Sequence, residues 1–266
     1  MLANFIKGNS ASSSINGPFN PLSQTSRQWY GMTTDTNGDV YCCVNNGDIY
    51  KQSGGSGAFN PLSQISNNWW GMTTNINGDV YASNNNVSVG GGIYKQTGGA
   101  GNFASLAQDT THWRGMTVDS AGNVYACVFG DAVYKQSGGV GNFAALPSLV
   151  RSYSGMTTGL DGSIYVSIYD GGIYRSVSGS PFSLVTLGQA TRYWMGMTTG
   201  LDGSIYCCTY YSTSPTGGDV YKRTNGVGNF EPLGLTPRFY TGMTTGADGS
   251  IYVSVNNGDI YKSITT

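Results

Sequence analysis

The tripeptide Gly-Met-Thr occurs six times, at Gly31, Gly71, Gly115, Gly155, Gly196 and Gly242, each time inside one frame. An aromatic residue stands two places before the glycine, a tyrosine ten places after it, and a Tyr-Lys or Tyr-Arg pair further on. Successive copies are 40 to 46 residues apart, with only short apolar runs and glycine-rich punctuation between them. A repeat this short cannot bury its apolar face alone, so neighbours must stack. A period of this length built from strands predicts one four-stranded blade of a β-propeller per repeat. The expectation is an all-β, six-bladed β-propeller over residues 17–266, preceded by an N-terminal arm at 1–16.

In the first repeat the strands read Trp29 to Thr34, Val40 to Val44, Ile49 to Gln52 and Ala58 to Leu62, labelled a, b, c and d. Asn37-Gly38 and Asn46-Gly47 are hairpin signals, and Gly54-Gly55-Ser56-Gly57 reads as a flexible connector. The last repeat stops after its strand c at Ile260-Tyr261-Lys262. A spare strand d, Pro18-Phe19-Asn20-Pro21-Leu22, stands at the start of the chain with no a, b or c before it. The N-terminal segment is therefore expected to close the last blade, removing two exposed sheet edges.

Charged residues are 10% of the chain and the formal net charge is -1, so no basic field exists to neutralise phosphates, and nucleic acid is not an expected partner. No stretch approaches membrane-spanning length, and the N-terminus lacks the apolar core of a secretory signal. Membrane insertion is not expected, and the chain is expected to be made and folded in a cytoplasm or exported by a route the sequence does not show. Cys42, Cys43, Cys127, Cys207 and Cys208 follow the strand-b tyrosine, where other repeats carry Ala82, Ser83, Val166 or Ser167. They read as reduced core thiols.

Strand alternation puts the a-b and c-d loops on one face and the b-c and d-a loops on the other. The first face is nearly constant in length. The second carries insertions between Asn84 and Gly92, between Tyr210 and Gly218, and before Trp194. Insertions gathered on one side point to a binding face. Aromatics left over after the repeat positions are subtracted map there too. Phe129, Tyr169 and Tyr210 share one repeat position where other repeats have Asn45, Asn85 and Asn256, and Tyr193 and Tyr211 lie beside them. Arg27, Arg151, Arg192 and Arg238 each sit two places before the repeated aromatic, with Arg114 just after Trp113. The expected ligand-binding residues are Phe129, Tyr169, Tyr210, Tyr211, Arg151, Arg192 and Tyr193, through stacking and forked hydrogen bonds. Tyr30 and Trp70 mark the alternative location.

Catalytic machinery is harder to find. His112 is the only histidine and Glu231 the only glutamate, which leaves no multi-histidine metal site and no paired glutamates for glycosidic chemistry. The hairpin aspartates, such as Asp161, Asp202 and Asp248, read as turn residues. Neither a cofactor nor a metal is expected.

The rhythm Gly-Met-Thr-Thr, Asn-Gly-Asp-Val-Tyr, Gly-Asp-Ile-Tyr-Lys resembles NHL-type and lectin-type propeller repeats across residues 17–266. The phrase from Gly47 to Gly55 is similar to propeller proteins of tailed-bacteriophage virions. That resemblance implies a non-enzymatic, virion-associated attachment protein. Its partners would be a host-surface glycan or protein, with other virion proteins docked through the N-terminal arm. A free soluble lectin and an architectural decoration protein without a ligand are the alternatives.

Overall fold

The computed structural model describes residues 18–87, 91–108, 111–176, 184–211 and 217–264. The expected arm at 1–16 and the tip of the insertion before Gly217 lie outside the described residues. Among them the secondary structure is strand and 3-10 turn, with no α-helix.

Each repeat folds as an antiparallel a-b-c-d meander. In the first repeat, Arg27–Thr34 pairs with Val40–Gly47, which pairs with Ile49–Gln52, which pairs with Asn60–Pro61. A bulge between Trp29 and Met32 shifts the a-b register, and the same irregularity recurs in every repeat. Two differences from the sequence expectation have clear causes. The glycine-rich connector is an ordered turn, because Ser53–Gly55 forms a 3-10 turn and Gln52 donates from Nε2 to the Gly57 carbonyl at 2.7 Å. Strand b also runs past Val44 and bonds to the next repeat's strand a, through Asn45 with Asn68 and Gly47 with Asn67. Hydrogen bonding thus crosses between repeats, and the strands join into sheets of twelve, eight and four.

The inner strands are Arg27–Thr34, Asn67–Thr74, Trp113–Val118, Arg151–Thr158, Trp194–Thr199 and Tyr240–Thr245. Each contacts the next, and the last contacts the first, so their order is cyclic. The repeated glycines make this approach possible. A Cβ on Gly115 would lie 2.6 Å from the Ser154 carbonyl oxygen, and one on Gly196 would lie 2.6 Å from that of Thr241. Gly155 meets the Met195 carbonyl and Gly242 that of Tyr30 in the same way. Only a residue without a side chain permits backbones to pack this closely.

Hydroxyls and thiols tie the same junctions. Ser167 Oγ accepts from the Gly155 N–H at 2.8 Å and donates to the Met195 carbonyl at 2.7 Å; Ser83 and Ser254 repeat the bridge. Cys43, Cys127 and Cys208 take the equivalent places in the alternate repeats, and all five cysteines are free and buried. Between the repeats lie apolar clusters in which Trp29, Trp69, Trp113, Tyr153, Trp194 and Tyr240 are buried.

Closure is by the N-terminal strand. Phe19–Pro21 pairs with the last strand c in the register Phe19 with Ser263 and Pro21 with Tyr261, and the Leu22 N–H donates to the Ile260 carbonyl at 2.8 Å. Deleting residues 1–24 is expected to expose an edge and lower the melting temperature well below that of a chain lacking only 1–14, because only the longer deletion removes this strand. Equal melting temperatures would show that the pairing does not hold the ends together. Gly155→Ala is expected to cost about 1–3 kcal/mol in urea unfolding by overpacking a backbone contact. Gly172→Ala is the control, since its nearest neighbour, the Gln189 carbonyl oxygen, is 3.6 Å away; equal costs would remove the close-approach argument.

Candidate functional site

The cyclic order of inner strands leaves a passage on the axis, divided by the glycine waist. A space of about 40 Å3 at the waist is lined by the six repeat glycines and the six following methionines, with Trp70, Ser154 and Thr241 on one side. On the other side a cavity of about 230 Å3 opens among the a-b hairpins. Met32, Met72, Met116, Met156, Met197 and Met243 form its floor, and the threonines after them form its wall.

Those threonines are paired across the repeat junctions. Thr33 meets Thr74, Thr117 meets Thr158, Thr157 meets Thr199, Thr198 meets Thr245 and Thr244 meets Thr34, with Oγ1 atoms 2.9 to 3.1 Å apart. The remaining junction breaks the pattern. There Thr73 faces position 118, which is a valine, so its hydroxyl has no partner of this kind.

The rim is two-sided. In the first three repeats the hairpin begins with Asp35, Asn75 or Asp119; in the last three it begins with Gly159, Gly200 or Gly246, followed by Leu160, Leu201 or Ala247. Asp35 Oδ1 accepts from the Asn37 and Asp39 N–H groups at 2.9 Å, and Oδ2 accepts from the Tyr41 hydroxyl at 3.2 Å. Asp119 is held alike by Ala121, Asn123 and Tyr125. Ion pairs on the outside brace these hairpins: Asp39 with Lys51, Asp79 with Lys95 and Asp161 with Arg175. The Lys51 ammonium and the Gly54 N–H hold the Asp39 carboxyl below its ordinary value, against the upward push of burial.

The opposite end of the axis carries the aromatic residues singled out from the sequence. Their rings form a chain: Phe129 to Tyr169 at 6.1 Å, Tyr169 to Tyr193 at 4.9 Å, Tyr193 to Tyr211 at 5.5 Å and Tyr211 to Tyr210 at 4.7 Å. Phe239 joins at 5.1 Å from Tyr210, and Tyr30 packs against Trp70 at 4.4 Å with the rings tilted by 49°. Arg151 and Arg192 are not part of this chain. Each lies over the strand-c tyrosine of its own repeat, Arg151 over Tyr174 at 5.0 Å and Arg192 over Tyr221 at 5.1 Å. Arg27 and Arg238 do the same with Tyr50 and Tyr261. Nor do the strand-c aspartates neutralise them: Asp48 and Asp219 accept backbone N–H groups of the d-a connection, at Ser63 and Gln64 and at Gly234 and Leu235.

The arginine at the aromatic end is Arg114. Its guanidinium carbon is 4.3 Å from the Trp70 ring centroid, 3.8 Å from that of Phe129 and 5.9 Å from that of Tyr169. Its Nε and Nη1 atoms are buried and have no hydrogen-bond partner. Burial pushes its pKa down to about 10, which leaves it charged at neutral pH. Burial also pushes the Tyr30 hydroxyl up to about 12, so it stays protonated. Cation–π contacts of about 0.5–2 kcal/mol each offset part of the cost of burying this charge. Among the described residues no three acidic, histidine or cysteine side chains cluster to hold a metal.

No family model matches the chain, and no curated protein matches it. Solved structures do. A putative gluconolactonase is similar with a TM-score of 0.75 at 15% identity, over 94% of this chain and 92% of that one. A streptogramin B lyase gives 0.65 at 16%, over 93% and 97%, and a glucose dehydrogenase 0.66 at 12%, over 93% and 99%. At these identities the likeness is one of fold, and it makes the chain an all-β, propeller-like protein. It also corrects the functional expectation. A non-enzymatic virion attachment protein was the expected role, whereas these neighbours are named as enzymes and nothing among them is specific to NHL-type, lectin-type or phage propellers.

Val118→Thr supplies the missing member of the hydroxyl ring and is expected to stabilise the fold by about 0.5–1.5 kcal/mol in urea unfolding. Val124→Thr, a buried strand-b position outside the ring, is expected to destabilise it. A loss of stability in both would show that position 118 needs an apolar side chain.

Proposed function

We propose that this chain is a six-bladed propeller acting on a small uncharged organic molecule held in the axial cavity. The cavity carries the reading: it lies on the axis, is large enough for a molecule of sugar size, and combines an apolar methionine floor with a polar threonine wall. No lysine or arginine lines it, so its donors suit hydroxyl and carbonyl groups better than phosphates. The cyclic contact order of the inner strands supports a count of six blades.

The neighbours' names support the same ligand size and suggest where to begin. A gluconolactonase and a glucose dehydrogenase are named for small sugar-derived substrates, so a lactone or an aldose is the first class to test. Within the lining, Asp35 and Asp119 are the acidic side chains and would be the groups that exchange a proton with the substrate. Asn75 fills the equivalent place in the second repeat, so the hairpin accommodates an amide there without loss of the turn.

The test is a panel of glucono-1,5-lactone and glucose with an added electron acceptor, read by consumption and by shift of the melting temperature. One of the two is expected to be consumed, and D35N or D119N is expected to lower that rate by about a hundredfold, D35N at unchanged melting temperature. If neither is consumed and neither shifts the melting temperature, the axial reading fails. If turnover survives in both variants, the aspartates have no part in it.

A further inference from the structure

The arginine at the aromatic end is left with unmet demands that the rest of the fold does not explain. Arg114 is a half-buried cation. It stacks on Trp70 and Phe129, and no carboxylate among the described residues forms an ion pair with it. Two of its nitrogens are buried without a partner. Nearby, Asn256 donates from Nδ2 to the Tyr210 hydroxyl at 2.6 Å. Buried polar groups in folded proteins are nearly always bonded, and an exception calls for an explanation such as an absent ion or ligand.

A structural role alone does not supply that explanation. The repeat places Tyr30, Trp70, Ser154, Met195 and Thr241 at the positions equivalent to Arg114, so stacking at this junction does not require a charge. Nor does solvation favour it here, because the guanidinium is pressed between two rings. What the site lacks is an anion, and what surrounds it is a group of half-buried rings, Tyr169, Tyr193 and Tyr211, packed against one another.

The geometry points to a second binding site at this end of the axis, for a small ring-bearing carboxylate, distinct from the axial cavity across the glycine waist. Arg114 supplies the counter-charge through the part of its guanidinium that is not buried, and the tyrosine rings supply the stacking surface. The Tyr210 hydroxyl, already accepting from Asn256, has its own proton to donate to the carboxylate.

The experiment titrates the full chain with benzoate and with benzamide, its uncharged isostere, following tryptophan fluorescence, to which Trp70 contributes. Benzoate is expected to bind at least about tenfold more tightly than benzamide, and Arg114→Gln to abolish that preference while Arg151→Gln leaves it intact. Equal binding of the two compounds, or a benzoate preference that survives in Arg114→Gln, would overturn the proposal. Should Arg114→Gln fail to fold, the wild-type melting temperature in sodium benzoate against sodium chloride at equal ionic strength decides. A rise confined to benzoate supports the site, and identical values overturn it.

Discussion

The fold depends on how closely neighbouring inner strands approach at the repeat glycines. Each glycine packs against the carbonyl that precedes the next repeat's glycine, and the series returns from Gly242 to Tyr30. A methyl group at any of these places would have to displace backbone rather than a side chain, so the spacing around the axis has little freedom. Everything placed on the axis inherits that spacing, including the methionine floor, the threonine wall and the aromatic end.

The junctions also show one task performed by two chemical groups. Ser83, Ser167 and Ser254 bridge an N–H and a carbonyl across alternate junctions, and Cys43, Cys127 and Cys208 stand in the others. Burial pushes these three thiols up to about 12, so they keep their protons at neutral pH and can donate weakly where the serines donate strongly. The weaker, longer sulfur contact, such as Cys127 to the Ser154 carbonyl at 3.7 Å, goes with the slightly wider glycine junctions. The thiols are thus engaged in packing, which is why their presence says nothing about redox chemistry.

Departures from the repeat, and not the repeat itself, differentiate the two ends. At the hairpin end, Val118 interrupts a ring of hydroxyl pairs, and the residue that opens each hairpin changes from Asp or Asn to Gly halfway round. At the far end, an arginine occurs once in a position that elsewhere holds uncharged side chains. Asymmetry of this kind is what a site among repeats needs, since a ligand that lacks the symmetry of the repeat cannot be oriented by identical neighbours.

The sequence by itself determined the repeat, the strand order within it, the closing strand at Phe19–Pro21 and the burial of the cysteines, because these follow from local periodicity and from one spare segment. Its aromatic residues at Phe129, Tyr169, Tyr193, Tyr210 and Tyr211 do lie together, since a shared repeat position in adjacent repeats places side chains side by side. Arg151 and Arg192, expected beside the ligand, instead lie over the strand-c tyrosines of their own repeats. Their position recurs in four repeats, and recurrence of that kind accompanies a contact made within each repeat. Which arginine meets the aromatics, and the place of the larger cavity at the constant, hairpin end, emerge only once the repeats are packed together. Both depend on distances across the axis between residues far apart in the chain, and no local pattern encodes those distances.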